Sequence, residues 1–136
     1  MPIDERIPTL NKMLEEFGKR TSEIKGQIII AYPAGVPIAS SWGHEINPIL
    51  ISAVSASVKL TFRNLCVNCN KGNLNRLILN SENGKVIIQN AGENAILTTI
   101  MDKDTDIYRV AFIVRDFARK LAATIGDKPI EGGTVA

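Results

Sequence analysis

The segment 47–67, NPILISAVSASVKLTFRNLCV, constrains the fold most, because it is apolar on more than one side of a helix. At about 100° per residue, bulky side chains form one stripe along this helix and smaller ones form another. The bulky stripe comprises Ile51, Val54, Val58, Phe62 and Leu65, and the small stripe comprises Ile49, Ala53, Ala56 and Leu60. A helix with two apolar stripes needs two surfaces to pack against. In a short chain, one surface is the protein's own sheet and the other is a second copy or a partner.

The two stripes are predicted to have different neighbours. We expect the bulky stripe to face the core, and the small stripe to meet a helix of another subunit, because Ala53 and Ala56 let two backbones come close. The polar sector should then face outward; it holds Ser52, Ser55, Lys59 and Arg63. The alternative is that a long loop or an extra helix of the same chain covers both stripes, although short connections leave few spare elements for this.

The composition is that of one ordinary globular domain, with 136 residues, 45% hydrophobic and 22% charged. A net charge of +2 with dispersed Lys and Arg argues against a nucleic-acid partner. The first residues, MPIDERIP, lack the apolar stretch of a secretion signal. No run approaches the roughly 18 to 20 apolar residues of a membrane span. We therefore expect a cytoplasmic protein without a membrane span.

Cys66 and Cys69 form a single C-x-x-C pair, which supplies two of the four ligands of a structural zinc site. They fall at the C-terminal end of the central helix, where the helix dipole disfavours a thiolate. We interpret them as structural cysteines. The lone His44, without a paired nucleophile or carboxylate, is weak evidence for catalysis.

Periodicity along the rest of the chain predicts the order α-β-β-α-β-β-β-α. The predicted helices span 9–22, 47–67 and 107–122, and the strands span 27–32, 36–40, 74–80, 85–91 and 95–101. Asn47 and either Thr105 or Asp106 are N-caps, and Asn83-Gly84 is a hairpin signal. The fold class is α+β: a five-stranded antiparallel sheet with one helix on one face and two on the other. Residues 1–125 form the domain, and residues 126–136 are expected to be a mobile tail.

Several of these segments resemble the roadblock/LC7 family, small domains of dynein light chains, lysosomal scaffold subunits and regulators of Ras-like GTPases. The resemblance covers residues 9–122, and its most specific part is G-x-P-I-A-S in 35–40. The other matching parts are Ile24-Lys25-Gly26, the small-residue helix 53–60, the strand 74–79 with Asn83-Gly84, and the closing helix from Ile107. The C-x-x-C pair departs from the family pattern.

The resemblance implies a profilin-like sandwich that dimerises through its long helix and the strand that follows. The residues of this predicted dimer interface are Ile49, Ala53, Ala56, Leu60, Asn75, Leu77 and Leu79. It would pair this chain with itself or with a related roadblock chain, by a self-complementary contact. Arginine at Ala53 or at Ala56 should then leave a folded monomer.

The resemblance also implies a function: a non-enzymatic homodimeric scaffold or regulator that binds a Ras-like small GTPase and modulates its GTP hydrolysis or localisation. The helical wheel, not a family motif, nominates Ser52, Ser55, Lys59 and Arg63 as the partner surface. No cofactor is expected, since the sequence lacks G-x-x-x-x-G-K-S/T. One alternative is a cytoskeletal or trafficking adaptor of dynein light chain, profilin-like or longin-like type, and another is a thiol enzyme or metal protein that uses the two cysteines.

Overall fold

The computed structural model describes residues 4–42 and 46–131 as a five-stranded antiparallel sheet with helices on both faces. The elements are α1 (Arg6–Arg20), β1 (Ile24–Ala31), β2 (Val36–Trp42), α2 (Pro48–Asn68), β3 (Arg76–Ser81), β4 (Gly84–Asn90), β5 (Ala95–Asp102) and α3 (Ile107–Ile125). The predicted fold class and element order are confirmed.

Two helices begin at the capping residues that the sequence predicted. The Asn47 side chain accepts hydrogen bonds from the backbone N–H groups of Ile49 and Leu50, and Pro48 occupies the first helical position of α2. The Asp106 carboxylate caps α3 in the same way, by accepting from the N–H groups of its first turn. Each cap satisfies backbone donors that the helix leaves unpaired.

The strand order in the sheet is β2-β1-β5-β4-β3. The turn between β3 and β4 is Glu82-Asn83, one residue earlier than the predicted Asn83-Gly84, since Gly84 already pairs with Ser81. A Cβ on Gly84 would lie 2.8 Å from the carbonyl oxygen of Met101, so the close approach of β5 explains the glycine at this strand position. Within the described residues, the outer edge of β3 is unpaired.

The helices divide the molecule into two unequal apolar layers. On one face, α1 and α3 cover the larger core, where the rings of Phe17 and Phe117 stack with centroids 4.1 Å apart. On the other face α2 lies alone and contacts β1 and β2. The smaller core beneath it comprises Ile28, Ile30, Ile88 and Ile96. Because α2 lies towards one side of the sheet, this face of β3 and β4 is left without a covering helix.

The packed structure continues beyond residue 125, where the domain was expected to end. The Arg6 guanidinium donates hydrogen bonds to the carbonyl oxygens of Ile125, at 2.6 Å, and Lys128, at 2.5 Å. Ile130 is 2% exposed and belongs to the larger core. The expected boundary was therefore too early, because composition does not reveal these contacts; residues 132–136 lie outside the described part of the chain.

Candidate functional site

Helix α2 packs with its polar side towards the sheet, the reverse of the predicted orientation. Ser52 is 0% exposed, Ser55 is 4% exposed and Lys59 is 5% exposed. The expectation that these three residues form an outward partner surface is therefore wrong. Arg63, the fourth residue of that set, is exposed and remains available to a partner.

Contacts with the sheet compensate part of this polar burial. The Thr98 hydroxyl donates to the Ser55 hydroxyl at 2.9 Å, and the Lys59 ammonium lies 3.7 Å from the centroid of the Tyr32 ring. Such a cation–π contact offsets part of the cost of removing the ammonium from water. The Ser52 hydroxyl is buried without a hydrogen-bond partner among the described residues. Serines are small, so the helix backbone lies close to the sheet.

The environment of Lys59 disfavours its charged form. Burial, and to a smaller extent the nearby positive charge of Arg63, lowers its pKa from 10.5 to about 8. The attraction of the Tyr32 ring acts in the opposite direction, because it favours the ammonium. The protonated lysine therefore destabilises the fold at neutral pH.

We expect the stability of the protein to rise between about pH 8 and pH 10.5 because of Lys59. In this range the unfolded chain still holds the lysine proton while the folded chain has lost it, so raising the pH favours folding. Each pKa unit corresponds to about 1.4 kcal/mol, and the Tyr32 contact reduces the total to roughly 1–3 kcal/mol. Urea unfolding at fixed protein concentration should show this rise. Lys59→Met should remove it and Lys71→Met, at an exposed lysine, should not; an equal rise in both variants would contradict the assignment.

The apolar side chains of α2 face solvent in the single chain. Nine of the eleven exposed large apolar residues in the described part of the chain lie on α2 and β3. They are Ile49, Leu50, Val54, Leu60, Phe62, Leu65, Val67, Ile78 and Leu79. Ile78 pairs with Ile87 of the larger core and so lies on the other face of the sheet from α2. The other eight lie on α2 or on the face of β3 that α2 occupies, and an apolar patch of this extent is typical of an interaction surface rather than of a solvated face.

The bulky stripe borders the part of the sheet that no helix covers. The expectation that the whole bulky stripe faces the core is therefore wrong. Only its two partly buried members, Ile51 and Val58, pack against the smaller core, together with Leu77 and Val86 of the sheet. The other three project beyond it: Val54 is 51% exposed, Phe62 is 40% exposed and Leu65 is 55% exposed. The bulky stripe and the neighbouring strands thus form one continuous apolar surface, called here the α2–β3 surface.

The small stripe lies beside the turn between β1 and β2. A Cβ on Gly35 would be 3.3 Å from the Ala56 Cβ and 3.4 Å from the Ala53 Cα, and Gly35 has a φ of +74°. Ala56 is 6% exposed, so this predicted interface residue is buried by its own chain. The stripe is small because a turn of the same molecule passes over it. Ile49 and Leu60, at its two ends, are 61% and 45% exposed.

The predicted interface residues on the sheet lie near its free edge. Leu77 is half-buried and Leu79 is 36% exposed, and both belong to the face that α2 occupies. Asn75 precedes β3, and its carbonyl oxygen accepts a hydrogen bond from the backbone N–H of Asn90 at 3.2 Å. The structure thus places Leu77 and Leu79 beside the bulky stripe rather than beside the small one.

The remaining sequence candidates are the two cysteines and His44. Cys66 is half-buried and Cys69 is exposed, and both are free thiols near the end of α2. Across residues 4–42 and 46–131, no three His, Cys, Asp or Glu side chains cluster as metal ligands. His44 lies outside these ranges.

Helix α2 is also long and apolar enough to cross a membrane, by length and composition, which corrects the expectation that no segment qualifies. The sequence has no unbroken apolar run of that length, but an 18-residue window of this helix reaches a mean hydropathy of 1.3. Only 22% of the qualifying window is buried in the single chain. The criterion is weak evidence by itself, since helices that pack against other proteins also meet it.

The fold is similar to that of several solved structures. One is an MglB with a tetrameric arrangement. The match covers 91% of this chain and 93% of the MglB chain, with a TM-score of 0.81 and 16% identity. The match to a roadblock/LC7 domain from Streptomyces avermitilis covers 85% of this chain and 92% of that domain, with a TM-score of 0.71 and 9% identity. The match to Acanthamoeba castellanii profilin IA covers 83% of this chain and 96% of the profilin chain, with a TM-score of 0.56 and 15% identity. No family profile and no curated protein matches the sequence. At these identities the likeness concerns the fold, and it confirms the predicted roadblock/LC7 and profilin-like architecture.

Proposed function

Starting from the roadblock/LC7 fold, we propose that this chain is a cytoplasmic homodimeric scaffold or regulator that binds a Ras-like small GTPase. The observation that carries the proposal is the reversed orientation of α2, which buries Ser52, Ser55 and Lys59 and exposes bulky apolar residues. Exposing such residues costs free energy in a monomer, and an assembly recovers it by removing them from water.

A second copy fits the α2–β3 surface for two reasons. The free edge of β3 offers backbone donors and acceptors that an identical strand satisfies, which joins two sheets into one. A twofold axis through this contact also brings Val54, Phe62 and Leu65 of both copies together. The tetrameric arrangement of a structurally similar MglB supports self-association through this fold.

The partner surface in this proposal is the outer side of the paired α2 helices together with Arg63. Ser57, Thr61 and Asn64 lie between the apolar stripes and are exposed. Arg63 is also exposed, but it lies one turn beyond the buried Lys59, near the C-terminal end of the polar side of α2. We propose no catalytic residue in this chain for GTP hydrolysis. Any effect on hydrolysis would come from positioning the GTPase's own switch residues or from the positive charge of Arg63, since charge stabilisation is central to phosphoryl transfer.

Contact with protein rather than lipid is the better account of the apolar face of α2. A bilayer-spanning α2 would place Lys59 and Arg63 within the hydrocarbon, where each charge costs several kcal/mol. In the folded chain, the Lys59 ammonium instead lies over the Tyr32 ring.

Light scattering after size exclusion tests this function. We expect the chain to elute as a dimer and to form a larger complex with a Ras-like GTPase from the same genome, loaded with a non-hydrolysable GTP analogue. Arg63→Ala should weaken that complex by about tenfold, whereas Arg20→Ala, at an exposed arginine of α1, should not. A dimer that binds no such GTPase would refute the GTPase role and favour an adaptor, and a monomer would refute the assembly.

A further inference from the structure

Helix α3 carries a second exposed aromatic patch on the face of the sheet opposite α2. Tyr108 is 88% exposed and Phe112 is 61% exposed; they are the two large apolar residues of the exposed set that lie outside α2 and β3. Arg115 and Arg119 continue the row at spacings of three and four residues, which places all four side chains on one side of the helix. We call these four residues the α3 stripe.

The arginines of the α3 stripe lack acidic partners. Arg115 and Arg119 form no ion pair within residues 4–42 and 46–131. Asp116, next to Arg115 in sequence, pairs with Lys120 instead, and Glu23 pairs with Arg109. The stripe therefore presents uncompensated positive charge next to exposed aromatic rings.

One arginine is held in place before any partner binds. The Arg115 guanidinium carbon lies 5.0 Å from the centroid of the Phe112 ring, and its Nε is buried. A guanidinium that is stacked on a ring loses less conformational freedom when a carboxylate binds to it. Tyrosine and arginine are also the residue types that most often dominate the binding energy of protein interfaces.

We propose that the α3 stripe is a second docking surface, which binds an acidic protein segment that also carries apolar side chains. Carboxylates of the segment would pair with Arg115 and Arg119, and its apolar side chains would cover Tyr108 and Phe112. This surface is separate from the α2–β3 surface and leaves the dimer contact free. The chain would thus link its first partner to a second, acidic one.

Charge favours this occupant over a second copy and over a lipid surface. A twofold contact through the stripe would gather four arginines in one interface with no carboxylate of the stripe to pair with them, which is unfavourable. Lipid recognition usually needs about four to eight clustered basic residues, whereas the stripe has two unpaired arginines.

Random peptides displayed on phage and selected on the full-length chain provide the test. We expect the selected peptides to be enriched in Asp and Glu beside aromatic or aliphatic residues. In fluorescence anisotropy with the tightest selected peptide, Phe112→Ala and Arg119→Glu should each weaken binding by about tenfold. Lys71→Glu reverses a positive charge in the same way at an exposed residue just after α2 and should leave peptide binding unchanged. Circular dichroism melts of each variant verify that it is folded.

Results of three kinds would overturn the proposal. The first is a selection without acidic enrichment, or a selected peptide whose affinity is the same for wild type and Phe112→Ala. The second is an equal loss with Lys71→Glu, which would indicate unspecific charge attraction. The third is evidence for another occupant of the stripe. If phosphatidylserine vesicles bind the chain in a Phe112-dependent way and acidic peptides do not, the stripe binds a membrane. If Phe112→Ala reduces the oligomeric mass, the stripe contacts a second copy.

Discussion

Val54→Arg should convert the proposed dimer into a folded monomer. Val54 is 51% exposed in the single chain and lies on the bulky stripe, so an arginine there is tolerated by the monomer but places two charges in the apolar contact of the dimer. We expect the dimer dissociation constant to rise by more than about 100-fold, which corresponds to roughly 3 kcal/mol. Light scattering gives the mass, and circular dichroism checks that the helix content is unchanged.

Leu60→Arg is the matched control on the small stripe. Leu60 is 45% exposed, close to the value for Val54, but it lies on the side of α2 that faces the β1–β2 turn. We expect this variant to remain a dimer. A monomeric Leu60→Arg together with a dimeric Val54→Arg would restore the assignment first inferred from the helical wheel, in which the small stripe forms the subunit contact.

Ala56→Arg should disrupt the fold itself. The Ala56 side chain is 6% exposed and lies against the turn at Gly35, so an arginine has no space and its charge has no partner there. A buried unpaired charge costs about 3–5 kcal/mol, a large fraction of the stability of a small domain. Thermal unfolding should show a Tm lower by roughly 10–20 °C, or no cooperative transition.

Ala53→Arg is the control for Ala56→Arg, because it introduces the same charge into α2 at an exposed position. Ala53 is exposed, one turn from Ala56, so its arginine can extend into solvent. We expect a Tm within a few degrees of the wild type and an unchanged dimer mass. The sequence pattern alone predicted the same outcome, a folded monomer, for both alanine variants. A well-folded Ala56→Arg would show that the contact with the Gly35 turn is dispensable.

The local features of this chain were predictable because they depend on neighbouring residues. Asn47 with Pro48 and Asp106 mark helix starts by their own side-chain and backbone chemistry, and both caps form as expected. Helical and strand periodicity likewise predicted the element order and the layered sheet. The β3–β4 turn was displaced by one residue, since the pairing of Gly84 with Ser81 and its contact with Met101 involve strand partners that a dipeptide signal does not specify.

The sequence by itself determined that α2 has two apolar stripes and therefore needs a neighbour besides its own sheet. Only the tertiary structure decided which side of the helix faces the sheet. A helical wheel gives the angles between side chains around the helix, but it does not say which of them face the sheet. The assumption that the polar side chains face solvent was wrong for Ser52, Ser55 and Lys59. The hydroxyl of Thr98 in β5 and the ring of Tyr32, which follows β1, make that burial tolerable, and both residues are distant from α2 in sequence. The same packing leaves the bulky stripe beside an open sheet edge, where a partner can cover it.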